Sequence, residues 1–300
     1  MRWSVALGVF GAALLLLVGC AGERIRAAQQ QVRVVEDLCY VPGSQHPKHR
    51  LDLYMPRQRT DAPMLLFVHG GFWRNQDRRY YQAFTGLHGN IGVALAKRGL
   101  GVAVQSYRLL PEASLEDQLA DVAAAARFTV EHAQEYGGSP RTLILAGFSA
   151  GGQLVTSLCV EPERLRRAGF DPAVLRGCVS ISGVLDVVAM ARQQDADFSR
   201  EVTVPHFGAT PEQQAQFSPI LRLTTQTPPP PLLLLWAEHD YPFVKQAGQS
   251  AVEKLKSLGL SPESDELPEH DHADMVLRIN SSNDQVGERI ATFATAHSQR

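Results

Sequence analysis

Four stretches of the chain are almost unbroken runs of apolar residues: PMLLFVHG at Pro63–Gly70, LGVAVQSYRL from Leu100, RTLILAG at Arg141–Gly147, and PLLLLWAEHD from Pro231. Each is short and bounded by turn residues, the pattern of a parallel strand covered on both faces. LRGCVSISGV from Leu175 reads the same way, and SPESDELPE from Ser261 predicts a short strand near the end. RLDLYMP at Arg50–Pro56 alternates instead, which predicts a half-exposed strand. Between the runs, apolar residues recur at helical spacing. Helices are predicted over Tyr80–Arg98 with Gly99 as the stop, over Leu115–Tyr136 ending at Gly137–Gly138, from Ser149 to Cys159, over Val244–Leu258, and over Asp284–His297.

Strands that alternate with helices of ten or more residues require crossover connections. They predict an α/β protein with a mostly parallel central sheet and helices on both faces. Ligands of such sheets sit at the carboxyl ends of the strands, so the residues following each strand are of interest. These are His69-Gly70-Gly71, then Gly147-Phe148-Ser149-Ala150-Gly151, then Glu238-His239-Asp240, and finally the HDHAD segment His270–Asp274.

Gly-x-Ser-x-Gly between a strand and a helix is the pattern of a nucleophile elbow, which exposes Ser149 on a sharp turn. A serine hydroxyl is a weak nucleophile near neutral pH and needs a base, itself oriented by a third group. HGGFW at His69–Trp73 can turn backbone N–H groups toward a developing oxyanion. With these two motifs the sequence resembles the α/β-hydrolase superfamily, and within it the His-Gly-Gly esterases. Phe72 stands where the all-glycine form has a third glycine, as in the isoprenylcysteine methylesterase and kynurenine formamidase branches. SYRLLPE from Ser106, the Leu115–Pro140 segment whose helix runs into a YGG end, and FSPI from Phe217 extend the resemblance over about residues 50–290.

The resemblance implies a serine hydrolase of carboxylic esters acting on a small-molecule substrate. It places the oxyanion hole at the N–H groups of Gly71, Phe72 and Ala150, leaves His69 a loop-holding role, and requires no metal or organic cofactor. The acid follows the serine in chain order and the histidine comes last. Asp240, in LLLLWAEHDYPFV, matches the acid position, with Glu238 and His239 as nearby rivals. ELPEHDHADMV offers both His270 and His272; Pro268-Glu269 stands where family members carry a glycine, and the H-x-D-hydrophobic match favours His272. His206 and His239 read as ordinary surface or supporting residues. An arylformamidase-type amidase with the same triad is the near alternative, and a ligand-binding lipoprotein without catalysis the distant one.

Residues 186–216 are polar with scattered apolar positions and predict a small cap inserted in the hydrolase domain. Phe198, Val204 and Phe207, with Phe72 and Trp73, are candidates either to line a substrate pocket or to pack the cap onto the body.

The first twenty residues have a different character. Arg2 precedes an apolar run from Val5 to Val18, shorter than the roughly 20 residues of a membrane span and laid out like a secretory signal. LVGC at Leu17–Cys20 resembles a bacterial lipobox, in which cleavage precedes the cysteine and lipid is attached to it. Residues 1–19 then form the signal, Cys20 the lipid attachment site, 20–31 a tether, and 32–300 the hydrolase domain. The implied location is a bacterial cell envelope, with outer-membrane anchoring favoured because Ala21 follows the cysteine. Of the other cysteines, Cys159 and Cys178 could pair or remain as buried thiols.

Composition adds two limits. With 300 residues, 44% hydrophobic, and a net charge of -2, one substantial core is expected. No basic run is present, which argues against a nucleic-acid partner. Oligomeric state is not encoded in any of these patterns.

Overall fold

In a computed structural model, residues 32–80 and 86–298 are described. The proposed signal, Cys20, and the tether lie outside them, as do residues 81–85 of the first predicted helix.

The sheet has eight strands in the order β1-β2-β4-β3-β5-β6-β7-β8. They are β1 Val32–Cys39, β2 Arg50–Pro56, β3 Ala62–Val68, β4 Gly101–Gln105, β5 Gly138–Phe148, β6 Leu175–Ile181, β7 Leu232–His239 and β8 Glu263–Asp271. β1 pairs with β2, and β2 with β4, in antiparallel fashion. From β4 through β3 to β8 every pairing is parallel.

The apolar runs are explained by this placement. Met64, Leu66 and Val68 of β3 join one core layer, while Leu65 and Phe67 join the other. In β7, Leu232, Leu234 and Trp236 alternate with Leu233, Leu235 and Ala237 in the same manner. Helices α1 (Leu87–Lys97) and, last in the chain, Gln285–Ser298 cover one face. Helices α2 (Leu115–Glu131), α3 (Ala150–Val160) and Pro242–Ser257 cover the other. Ser114 starts α2 with a capping box, accepting from the Asp117 N–H while the Asp117 carboxylate accepts from the Ser114 N–H. The fold is that of the α/β-hydrolases.

Three expectations change. β2 is buried along most of its length, not half-exposed. It is an interior strand between β1 and β4, and its one acidic residue, Asp52, is buried with charged partners. Arg78 Nε donates to Asp52 Oδ1 at 3.0 Å and Arg79 Nε to Oδ2 at 3.1 Å. β1 was not anticipated, because a bulge breaks its alternation: the register shifts between Val35 and Leu38, and Asp37 takes φ 60°. The first helix within the described residues begins at Leu87, behind Gly86 at φ 66°, and stops before Gly99 at φ 92°.

Between β6 and β7 the chain forms short helical turns. They are Val187–Gln193, Ala196–Phe198, a π-helical turn at Ser199–Thr203, Val204–Phe207, Pro211–Ala215 and Pro219–Arg222. Cys159 and Cys178 are buried free thiols, and Cys39 is a partly buried one. Among the described residues no helix is long and apolar enough to cross a membrane.

Candidate active site

The elbow is built by close approach of backbone to backbone. A Cβ on Gly151 would stand 2.1 Å from the Val68 carbonyl oxygen of β3, and one on Gly147 would stand 2.3 Å from the Gly151 oxygen. Only glycines let the start of α3 settle against the strand ends. Ser149 itself holds φ 53° and ψ −116°, a conformation that L-residues avoid. Its N–H donates to the Ile181 carbonyl of β6 at 2.9 Å, which locks the turn.

Asp240 follows β7, and His272 lies just past β8. His272 Nδ1 is 2.7 Å from Asp240 Oδ1, and Nε2 is 3.0 Å from Ser149 Oγ. A carboxylate can only accept, so Nδ1 carries the proton and Nε2 is left to accept from the serine hydroxyl. His272 lies between two aromatic rings, Phe148 at 4.9 Å and Tyr241 at 4.8 Å between centroids.

The Asp240 side chain is fully buried. Burial alone would push the Asp240 carboxyl above its ordinary range; the hydrogen bond and charge of His272, with hydrogen bonds from Ser182 and the Ala237 N–H, outweigh that and hold it below that range. Oδ1 accepts from the Tyr241 N–H at 2.9 Å, and Oδ2 accepts from the Ala237 N–H at 3.1 Å and from the Ser182 hydroxyl.

His270 does not enter the site. It is completely buried, and its Nδ1 donates to the Pro268 carbonyl at 2.7 Å. Glu238 and His239 are exposed at the end of β7. Glu238 accepts from the Glu269 N–H at 2.9 Å, which ties the β7 and β8 ends together.

The loop after β3 carries three successive residues at positive φ: Gly71 at 105°, Phe72 at 53° and Trp73 at 61°. Its first glycine, Gly70, packs against Ser149, where an added Cβ would lie 3.1 Å from the serine Cβ. Gly71 is obligatory, since a Cβ there would stand 2.3 Å from the Asn75 oxygen. The Gly71 carbonyl accepts from the N–H groups of Arg74 and Asn75 at 3.1 and 2.9 Å. Among the described residues, no turn or loop carbonyl accepts from the N–H of Gly71, Phe72 or Ala150.

His69 stacks on Tyr107 at 4.4 Å, and its Nδ1 donates to the Gly70 carbonyl at 2.7 Å. Burial, with His88 nearby, holds it far below the usual histidine range, so it is a neutral support for the loop.

Three supporting groups escaped the sequence reading. Gln153, one turn into α3, accepts from the Trp73 indole N–H at 3.2 Å and donates to the Phe217 carbonyl at 3.0 Å. The available signal was a long polar side chain in the small-residue run SAGGQL. Arg74 donates to the Glu201 carbonyl at 3.0 Å and to its carboxylate at 3.3 Å, joining the loop to the inserted segment. Ser182, the first residue after β6, is polar at the carboxyl end of a buried strand, and that position was the signal.

The aromatic candidates divide. Trp73 and Phe207 are buried against each other at 4.8 Å and pack the insertion onto the body. Phe72 is 40% exposed and meets Phe198 edge-on at 5.5 Å. Val204 is also exposed. His206, expected to be a surface or supporting residue, is buried beside the Trp73 ring at 5.8 Å. A second ring neighbour is Phe207, at 5.6 Å. Among the described residues no group of three or more His, Cys, Asp or Glu is placed to hold a metal ion.

A probable isoprenylcysteine alpha-carbonyl methylesterase of Arabidopsis thaliana is 28% identical over 273 residues, covering 84% of this chain and 55% of that protein. A kynurenine formamidase of Danio rerio is 22% identical over 256 residues, covering 83% of this chain and 79% of its own. The chain spans about half the length of the plant methylesterases it matches. Esterase B from Lactobacillus rhamnosis superposes with a TM-score of 0.75 over 96% of this chain and 97% of its own, at 19% identity, which speaks for the fold. The BD-FAE family matches residues 51–255. The chain belongs to the BD-FAE family, built on the α/β-hydrolase fold.

Proposed function

We propose that the protein hydrolyses carboxylic esters through an acyl-enzyme, with Ser149 as nucleophile, His272 as general base and Asp240 as the acid that orients it. The observation that carries this reading is the continuous hydrogen-bonded line from Asp240 through His272 to Ser149, at 2.7 and 3.0 Å. Ser149 Oγ attacks the ester carbonyl while its proton passes to His272 Nε2. The oxyanion is held by the N–H groups of Gly71, Phe72 and Ala150. As the tetrahedral adduct collapses, the C–O bond to the alcohol breaks and His272 returns the proton to the departing oxygen. Water, deprotonated by His272, then attacks the acyl-enzyme; the carboxylic acid leaves and Ser149 regains its proton. Asp240 remains ionised throughout and stabilises the imidazolium.

A chromogenic short-chain ester assay with wild type and Ser149→Ala tests this. Turnover by the wild type and its loss in the variant support it; an inactive wild type, or an alanine variant that retains turnover, overturns it. The formamidase relative motivates one second reading, hydrolysis of an N-formyl amide by the same groups. A higher kcat/KM for aryl formamides than for matched aryl esters would establish that preference.

The cellular setting proposed is a bacterial envelope, with the mature chain lipidated on Cys20; the LVGC pattern supports it. Mass spectrometry of the mature N-terminus tests it, and a chain starting anywhere other than a lipidated Cys20 overturns it.

A further inference from the structure

The Asp240 carboxylate has four hydrogen-bond donors among the described residues. Three are His272 and the N–H groups of Tyr241 and Ala237. The fourth is a side chain from a different strand end: Ser182, completely buried, whose hydroxyl donates to Oδ2. Ser182 and Ala237 thus hold Oδ2, while Oδ1 accepts from His272 and the Tyr241 N–H.

The backbone of Ser182 is held in an unusual way. It sits at φ 46°, in the left-handed region that favours glycine, although a glycine, Gly183, stands at the next position. Its N–H donates to the Leu235 carbonyl of β7 at 2.7 Å. Non-glycine residues persist in such a conformation where the surroundings enforce it, and such residues cluster at functional sites. The side chain present here is the smallest that can deliver a hydroxyl to the carboxylate.

We propose that Ser182 is a positioning residue of the hydrolytic reaction: its hydroxyl turns the Asp240 carboxylate so that Oδ1 faces His272. This rests on the triad reading above. A carboxylate free to rotate about its Cβ–Cγ bond offers His272 a varying acceptor. One clamped on Oδ2 by Ser182 and Ala237 offers a fixed one, and His272 is then fixed relative to Ser149.

The charged groups around this point leave the clamp to act alone. His272 is the titratable partner facing the carboxylate. Glu238 and His239 of β7 are exposed. Lys245, on the helix after β7, reaches the Glu238 carbonyl and the Glu266 carboxylate. Asp274, beyond His272, pairs with Arg278 at 2.6 Å.

The test uses the full chain carrying Ser182→Ala, Ser182→Gly, Asp240→Asn, or Ser182→Ala with Asp240→Asn. Ester kinetics are followed from about pH 4 to pH 9, and folding by thermal unfolding. Ser182→Gly accepts the positive φ without strain, so it reports the loss of the hydroxyl even if the alanine variant is poorly folded. Both single Ser182 variants are expected to lose about 10–10² in kcat with KM within about twofold, and the acid limb of kcat/KM, which belongs to the coupled Asp240–His272 pair, moves up by about one pH unit. In the Asp240→Asn background, Ser182→Ala changes the residual turnover by less than about twofold. Unchanged kcat and acid limb in both Ser182 variants, with Asp240→Asn inactive, overturn the proposal and leave the triad standing. An undiminished loss in the Asp240→Asn background shows a merely structural role and also overturns it. Wild-type turnover in Asp240→Asn removes the triad reading and this proposal together.

Discussion

The Trp73 indole N–H donates to Gln153 Oε1 at 3.2 Å, with both side chains completely buried. Trp73 belongs to the loop carrying two proposed oxyanion donors, and Gln153 to the helix carrying the third, three residues after Ala150. One hydrogen bond therefore spans the two halves of the oxyanion hole. Gln153→Leu removes it and leaves the indole N–H buried without a partner, which typically costs about 1–3 kcal/mol. We expect lower thermal stability, and a fall in kcat larger than any rise in KM. A variant with wild-type kcat would show that the loop holds its place without this tie.

The triad groups act as one unit. Ser149→Ala and His272→Ala are each expected to cut turnover by roughly 10⁴ or more, and the double variant to be little worse than either. An organophosphonate should label the wild type at Ser149 alone, read by peptide mass spectrometry. His270→Ala should keep most activity, because that ring is turned to the Pro268 carbonyl. An inactive His270 variant that is still folded would count against the assignment.

Gly71→Val tests the loop. A side chain would meet the Asn75 oxygen at the distance of a collision, and φ 105° is unfavourable to valine. Misplacing one oxyanion donor should lower turnover by about 10²–10³ with the protein still folded. Circular dichroism and steady-state kinetics check the two halves of that statement.

Acid should weaken the fold through its buried histidines. Burial holds His88 and His206 down to about 4, and His69 lower than its ordinary value as well. An unfolded histidine titrates near 6.5, so as pH falls between about 6.5 and 4 the unfolded chain takes up protons that the folded one refuses. Stability therefore rises with pH in this window and is lost on acidification. His88 alone contributes about 2 kcal/mol of loss between about pH 6.5 and 5. Urea unfolding at these two pH values measures it, and His88→Gln should reduce the difference.

Breaking the buried ion pair on β2 should also destabilise the fold. Asp52→Ala leaves Arg78, nearly inaccessible, without its buried carboxylate. The exposed Asp37 carboxylate still pairs with Arg78, so the loss should fall short of the about 3–5 kcal/mol of an uncompensated buried charge, yet exceed the small effect of removing an exposed partner such as Asp61, which pairs with Arg141. Denaturant midpoints of Asp52→Ala and Asp61→Ala give the comparison.

The central strands were legible because burial on both faces imposes a composition: PMLLFV and LLLLWA cannot be anything polar. Ser149, Asp240 and the glycine loop were legible because each follows a strand, and backbone crowding restricts what can stand beside the elbow. β1 was hidden by its bulge, and the burial of β2 by ignorance of its neighbours, since alternation reports how many faces are covered only when the flanking strands are known. The same limit applied at the site. His270 and His272 are two residues apart, and only the H-x-D-hydrophobic match separated them in the sequence; the side-chain directions, one ring meeting Asp240 and the other the Pro268 carbonyl, follow from how β8 runs into its final turn. Ser182 and Gln153 carry no motif, because their partners, Asp240 and Trp73, lie 58 and 80 residues away along the chain and meet them only through sheet order and helix packing. Local sequence determined which elements form and which groups stand at their ends. The pairing of those groups across the sheet was decided by tertiary packing, because hydrogen bonds between side chains depend on distances that no sequence spacing records.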